Sequence, residues 1–179
     1  MSCARLRRRY RRAPWYKPTP DAGLVAVDLG KRKVGVAVFD AHKRLVAART
    51  IHTQRGQQEW DPHITAEAVL AFTDNNVDAQ ADWVCEYPHL RHNDRDNHHN
   101  ITPLQRVGDI LAEAGGWAEK YRPSEWKRQV HKELHHRRIR AALSTPEQGV
   151  WDALGHDARD AVGIGLFALG RIDHIGRPR

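Results

Sequence analysis

The sequence lacks the features that mark secreted and membrane proteins. Its 179 residues include only two cysteines, Cys3 and Cys85, which are too few for a disulfide framework. No window holds the roughly 18 consecutive apolar residues of a membrane span, and no apolar signal-peptide core follows the N-terminus. We therefore expect a protein of a reducing, cytoplasmic compartment with no membrane partner.

Acidic residues are also missing from the first 20 positions, which carry seven of the 29 Lys and Arg residues. The other 22 basic residues (29 − 7) equal the 22 Asp and Glu, so the net charge of +7 belongs to this arm. Arg7, Arg8 and Arg9, with aromatic residues nearby, suit contacts with phosphates and stacking on bases. A solvated tail is the alternative, and an organelle transit peptide is a weaker one.

The composition and the prolines after the arm predict one folded domain. We expect residues 1–22 to be a basic arm that is disordered until it binds a partner, and residues 23–179 to form the domain. Residues 24–30, 33–40 and 44–51 are rich in Val and separated by tight turns. This pattern predicts a three-stranded antiparallel meander.

Helices and strands alternate after the meander. Apolar spacing, Pro in first turns and Gly at ends predict helices over 61–75, 102–114, 129–143 and 157–170, and strands over 81–86 and 117–121. Strands first and then alternation predict an α/β fold, with a mixed sheet flanked by helices.

Four carboxylates stand out by position. Asp28 lies inside an apolar strand, where an unpaired charge is costly, and Glu86 ends a later strand. Asp157 and Asp160 are three residues apart, which places both on one helix face. Taken singly, each has a plain explanation: an ion pair, a strand terminus or helix capping.

Taken together, the four acids predict a metal site. Clustered carboxylates raise one another's pKa values, so they need cations among them. Oxygen ligands suit hard divalent ions such as Mg²⁺ or Mn²⁺.

The order of these motifs resembles the RuvC-like Holliday junction resolvases of the RNase H-like superfamily. The matching pieces are AVDLGKRKVGVAVFD, WVCEYP and HDARDAVGIGL, and the resemblance covers about residues 24–170. It implies an RNase H-like mixed sheet in which Asp28, Glu86, Asp157 and Asp160 hold two Mg²⁺ ions for phosphodiester hydrolysis. It also implies a homodimer that cuts a four-way DNA junction to give 5′-phosphate and 3′-hydroxyl ends.

One departure concerns the first motif, DLGKRKVGVAVFD, which is equally similar to the YqgF branch of the superfamily. That branch lacks the acid supplied here by Glu86 and has a different C-terminal helix. The chain therefore resembles a divergent RuvC-like protein, of a kind expected from a phage or plasmid.

A basic segment follows residue 121 and predicts a DNA-binding surface. In the resembled family this region carries essential basic residues, and Trp126 is expected to stack on an unpaired base. A solvated charged helix face is the alternative. The predicted DNA contacts in this segment are Trp126, Lys127, Arg128, Lys132, Arg137 and Arg138.

Histidines are abundant, but their spacing does not predict a zinc site. The His-rich stretch 89–99 is expected to be a polar loop or a DNA contact. His156, directly before Asp157, is a candidate proton shuttle, although helix capping explains it equally well.

Two other functions remain open at this point. A non-catalytic or YqgF-like nucleic-acid-binding protein would keep the fold and lose the chemistry. The D-x-G-x-x-x-x-G spacing from Asp28 to Gly35 also resembles the phosphate loop of the actin and sugar-kinase group. Those proteins clamp a nucleotide between two domains, and 179 residues provide only one.

Overall fold

Five strands and six helices make up the part of the chain that the structure describes. The structure is a computed structural model and describes residues 17–30, 33–52, 61–77, 80–87, 98–174 and 176–178. The strands are β1 (Gly23–Leu29), β2 (Lys33–Phe39), β3 (Leu45–His52), β4 (Ala81–Glu86) and β5 (Glu119–Tyr121). The helices are α1 (Pro62–Asp74), α2 (His98–Gly115), α3 (Pro123–Trp126), α4 (Lys132–Ala141), α5 (Thr145–Asp152) and α6 (His156–Ala168). None of these described helices is long and apolar enough to cross a membrane.

The strands form one mixed sheet in the order β3-β2-β1-β4-β5. β1 with β2 and β2 with β3 are antiparallel, because tight turns join them. β4 pairs in parallel with β1, and β5 pairs in parallel with β4. A meander extended by parallel strands is the RNase H-like arrangement, so both the predicted meander and the predicted fold class are confirmed.

The two faces of the sheet are covered by different helices. Side chains alternate along a strand, so Leu24 and Ala26 of β1 point to one core cluster and Val25 and Val27 to the other. The first cluster lies under α6, and we call this side of the sheet the α6 face. The second lies under α1 and α2. By the same alternation, Asp28 lies on the α6 face.

α6 is apolar around its whole circumference because it is buried between the sheet and other helices. Every residue from Asp160 to Phe167 is buried. Gly165 allows a close approach: a Cβ at this position would lie 2.2 Å from the ring of Phe39 on β2. The helix therefore rests almost directly on the sheet, which fixes where its first turn lies.

Three helices differ from the expectation, of which the short α3 was not predicted. α2 begins at His98, four residues before the predicted start, so the Thr102–Pro103 signal falls in its second turn. α5 was not predicted, although Ser144 and Glu147 form a capping box that marks its start. The predicted strand 81–86 has the bounds of β4, and the other predicted helices and strands are present with ends shifted by up to three residues.

Candidate functional site

The site begins with two acids on neighbouring strands. Asp28 and Glu86 are direct partners in the parallel pairing of β1 with β4. Adjacent strands lie about 4.8 Å apart, and partners in register point to the same face. Both acids therefore lie on the α6 face, at the edge where the carboxyl ends of the two strands meet.

α6 brings the other two acids to the same place. Gly35 of β2 is the partner of Asp28, and a Cβ on Gly35 would lie 1.9 Å from the backbone oxygen of Asp157. Only a glycine lets the first turn of α6 lie so close to the sheet beside Asp28. Asp160 follows one turn later on the same side of the helix and is 8% exposed.

The charge on Asp28 is poorly compensated. Burial raises the pKa of Asp28, the carboxylate of Glu86 raises it further, and the pKa reaches about 8. Asp160 and Asp157 contribute in the same direction, and Lys127 opposes them. The four acids predicted from the sequence are thus close enough to influence one another electrostatically, with Asp28 at the centre of the cluster.

Glu86 is held by two side chains from the segment after β5. The indole Nε1 of Trp126 donates to Glu86 Oε2 at 2.6 Å, and Lys127 Nζ lies 2.9 Å from the same oxygen. Trp126 is fully buried. The prediction that it stacks on an unpaired base is therefore wrong, because its ring packs inside the core and its N–H orients Glu86.

Asp160 is held by α4. His136 Nε2 donates to Asp160 Oδ1 at 2.6 Å, and Lys132 Nζ lies 3.4 Å from Oδ2. Burial disfavours the charged form of Asp160, but the hydrogen bond from His136 and the charges of Lys127 and Lys132 outweigh it and lower its pKa. His136 was not among the predicted site residues, and nothing in its sequence neighbourhood distinguishes it from the other histidines of α4.

The remaining predicted residues lie around the acids or outside the described ranges. His156 is exposed at the start of α6, and its ring stacks on that of His136 with centroids 5.6 Å apart. Arg128 and Arg137 are exposed, and Arg138 is half-buried. Arg7, Arg8 and Arg9 lie outside the described residues, as does most of the stretch 89–99, so their predicted roles stay predictions.

Two of the four acids, Glu86 and Asp160, are directed toward protein cations and donors. Among the described residues, no group of three or more His, Cys, Asp or Glu side chains is arranged so that it could hold a metal ion. The oxygens of Glu86 and Asp160 accept from Trp126 and His136 and approach Lys127 and Lys132.

Comparison with known proteins gives likeness in structure but not in sequence. No protein-family model matches the chain, and no curated protein matches it. The fold is similar to that of T. thermophilus RuvC in complex with a Holliday junction substrate, with a TM-score of 0.49 and 14% identity over 82% of this chain and 91% of that one. It is also similar to the Thermus thermophilus RuvC structure, with a TM-score of 0.42 and 14% identity over 81% and 92% of the two chains. At this identity the likeness concerns the fold alone, and the RNase H-like assignment rests on the strand order described above.

Proposed function

We propose that this chain is a metal-dependent endonuclease that cuts branched DNA, with a four-way Holliday junction as its substrate. The observation that carries the proposal is the meeting of Asp28 and Glu86 with the first turn of α6 at one edge of the sheet. These carboxylates are far apart in sequence: Asp28 is 58 residues from Glu86 (86 − 28) and 132 residues from Asp160 (160 − 28). A purely structural role does not need such convergence, because each acid adds charge repulsion that opposes folding.

The chemistry of the donor set is that of a site for a hard divalent cation, although the described side chains are not arranged around one. All four groups are carboxylates, and desolvation together with the neighbouring acids raises the pKa of Asp28, so a nearby cation would stabilise its charged form. Asp28, Glu86, Asp157 and Asp160 are the residues that would hold Mg²⁺ or Mn²⁺, two ions per site. When bound, such ions polarise a phosphodiester, lower the pKa of the attacking water and stabilise the attacking and leaving oxygens of an in-line displacement.

Two lysines near the acids, Lys127 and Lys132, also have a role in this proposal. Lys127 lies among Glu86, Asp28 and Asp160, whose charges outweigh the effect of burial and raise its pKa. It therefore stays protonated and partly neutralises the acids before substrate and metal arrive. Both Lys127 and Lys132 then provide positive charge toward a phosphate that approaches the acids.

His156 is suited to a proton-transfer role. Its imidazole is exposed, adjoins Asp157 and stacks on His136. An exposed imidazole beside the acids can pass a proton between solvent and the attacking water or the leaving oxygen, which is the role we propose for it.

The substrate and assembly follow from the resemblance together with the charge distribution. Four-way DNA is two-fold symmetric, so a homodimer would present two sites for two symmetric nicks. The basic residues after β5 and the arginines of residues 1–22 supply contacts to the phosphate backbone. The expected products carry 5′-phosphate and 3′-hydroxyl ends.

A second candidate is a non-catalytic or YqgF-like nucleic-acid-binding protein of the same fold. The observation that favours it is that Lys127 and Lys132 already pair with Glu86 and Asp160. A lysine can replace a metal ion as the counter-charge, and the acids would then serve only the fold.

One assay separates the two candidates. A labelled four-way junction and a linear duplex are incubated with the protein in Mg²⁺, in Mn²⁺ and in EDTA, and with the variants Asp157→Asn and Asp160→Asn. Asp74→Asn is the matched control, because Asp74 is exposed at the end of α1 on the opposite side of the sheet.

The nuclease proposal expects metal-dependent nicks in the junction that ligase reseals, which requires 5′-phosphate and 3′-hydroxyl ends. It expects loss of cleavage in both site variants with junction binding retained, and normal cleavage by Asp74→Asn. Junction binding without cleavage in either metal would instead establish the non-catalytic candidate. Light scattering of the free protein checks the homodimer.

A further inference from the structure

A groove lies beside the acids, on the side of the edge strand β3. It has a volume of about 420 Å³ and runs between β3 and the residues that connect α5 to α6. Its lining includes Lys33, Thr50, His52, His156 and Asp157. A volume of this size lies within the range of sites that hold small molecules. Asp157 borders both this groove and the acid cluster, so the two are continuous.

The register of the strands directs polar side chains into the groove. Lys33 pairs with His52 and Gly35 with Thr50 in the antiparallel ladder of β2 and β3. Gly35 lies against Asp157 on the α6 face, and residues two apart on a strand share a face. The hydroxyl of Thr50 accepts from the backbone N–H of Ala158 at 3.3 Å, which leaves its own hydrogen available to donate.

The groove differs from the rest of the site in charge. Lys33 is exposed, and within the described ranges it forms no ion pair, whereas Lys127 and Lys132 each pair with a site acid. Arg49 also borders the groove, but it pairs with Val36 of the other core cluster, so its side chain points to the opposite face of the sheet. Asp157 is the one acid in the described part of the lining. One permanent cation, two imidazoles and a hydroxyl therefore face a space whose negative border is the catalytic cluster itself.

A cluster of carboxylates repels a phosphodiester, so a polyanionic strand needs positive contacts on both sides of it. Lys127 and Lys132 provide them beside Glu86 and Asp160. On the other side, Lys33 of β2 and Thr50 of β3 lie one and two strands away from β1, which is at most about 10 Å at about 4.8 Å per strand. At about 3.4 Å of axis per nucleotide, this separation corresponds to roughly three nucleotides of one DNA strand.

We propose that this groove binds a phosphodiester of the substrate strand, within about three nucleotides of the phosphate that lies at the acids. Lys33 is the principal contact, with Thr50 and the two histidines donating to the same backbone. The proposal rests on the proposed function in one respect, namely that the ligand is a nucleic-acid strand. It does not require that the strand is cut.

The test is a methylphosphonate scan of binding in EDTA, where no metal supports cleavage. A four-way junction carries a single neutral methylphosphonate at successive positions around the crossover, and its affinity is measured by fluorescence anisotropy for the wild type, Lys33→Gln and Lys33→Arg. The matched control is Arg44→Gln, an exposed cation at the opposite end of the same hairpin that pairs with Asp40. A double variant, Lys33→Gln with Arg49→Gln, tests whether Arg49 substitutes for Lys33.

We expect one linkage whose neutralisation weakens wild-type binding about threefold to tenfold and has no further effect in Lys33→Gln. The slope of log K against log salt should fall by about 0.9 in Lys33→Gln, return in Lys33→Arg and stay unchanged in Arg44→Gln. If the wild type binds and both Lys33→Gln and the double variant keep its salt slope and its sensitivity at every linkage, the groove is not a phosphate site. A wild type that binds this junction but cuts nothing in Mg²⁺ would defeat the proposed nuclease and leave this test intact. A wild type that binds no nucleic acid would overturn both.

Discussion

Two carboxylates in this molecule, Glu147 and Asp28, lie in opposite electrostatic environments. Glu147 of α5 is 3% exposed, yet all its partners are donors: Arg171 lies 2.6 and 2.7 Å from its two oxygens, and Leu45 and Ser144 complete the set. Burial alone would raise its pKa, but these hydrogen bonds outweigh burial and lower the pKa to about 2. Desolvation of Asp28 and, after it, the charges of neighbouring acids raise the pKa of this carboxyl to about 8, against the opposing effect of Lys127.

The difference shows how to separate a structural acid from a functional one in the same fold. Glu147 ties β3, α5 and the segment after α6 together, and its charge is neutralised by the protein itself. Asp28 stores an unfavourable interaction that only an external cation or a proton relieves. Perturbed carboxylates of the second kind concentrate at functional sites.

The largest expected effect comes from removing the charge of Asp28. Asp28→Asn should reduce junction cleavage on the order of 10³-fold or more, because it removes a ligand whose loss costs several kcal/mol of transition-state stabilisation. In metal-free buffer the same variant should be as stable as the wild type or more stable. The folded-state pKa lies above the ordinary value, so the wild type loses stability relative to the variant as pH rises from about 4 to about 8. Cleavage rates check the loss of activity, and urea unfolding across this pH range checks the difference in stability.

The next largest effect comes from removing the charge of Glu147. Glu147→Gln should lower the free energy of unfolding by about 2 kcal/mol, since it leaves the half-buried Arg171 without its counter-charge. Because the folded-state pKa of Glu147 is lowered, the charged carboxylate contributes its full stabilisation of the folded state above about pH 4.5. This contribution is lost as the pH falls toward about 2. Urea unfolding at pH 7 and pH 3 measures this, and Asp152→Asn, which removes an exposed pair with Arg140, is the control with little expected change. Equal stability of Glu147→Gln and wild type at pH 7 would contradict the assignment.

A smaller effect comes from moving the first turn of α6 away from β2. Gly35→Ala places a methyl group where the backbone oxygen of Asp157 lies, so α6 must move away from β2. We expect a loss of about 2 kcal/mol in stability and reduced cleavage at temperatures where the variant remains folded. Gly149→Ala is the control, because a Cβ at Gly149 meets nothing within 4 Å, and it should be neutral or stabilise the helix by up to about 1 kcal/mol. Full cleavage by folded Gly35→Ala would show that the position of Asp157 does not matter.

The smallest effect concerns orientation. His136→Phe keeps a ring against Trp151 and His156 but removes the donor to Asp160. Groups that orient a metal ligand typically contribute about 10-fold to 100-fold to affinity or activity, and we expect the lower end here. The half-saturating Mg²⁺ concentration for cleavage should rise about tenfold, and His136→Gln, which retains an N–H donor, should recover part of the loss. An unchanged Mg²⁺ requirement in His136→Phe would remove His136 from any positioning role.

Much of the architecture was predictable because it is local. The Val-rich runs of β1 to β3 and the apolar length of α6 carry their own periodicity, and the acids were identifiable because a charge inside an apolar run is unusual. The capping box at Ser144 would have revealed α5 as well.

The contacts that hold the acids were not predictable, because they join residues far apart in sequence. Trp126 reaches Glu86 across 40 residues, and His136 reaches Asp160 across 24. In sequence, Trp126 sits in a basic stretch that suggests a surface, and only the packing of α3 against the core shows that it is buried. Tertiary contacts overrode local composition at that position.

The pairing of Asp28 with Glu86 has a consequence for motion. The two carboxylates belong to the central strands of the sheet, and a slip of β4 by one residue would turn Glu86 to the opposite face. Such a slip would break the ladders to both neighbours of β4, so it cannot occur as a local fluctuation. Amide hydrogens along β1 and β4 should therefore exchange with solvent only when the whole domain opens, and the spacing of these two carboxylates should persist for as long as the fold does.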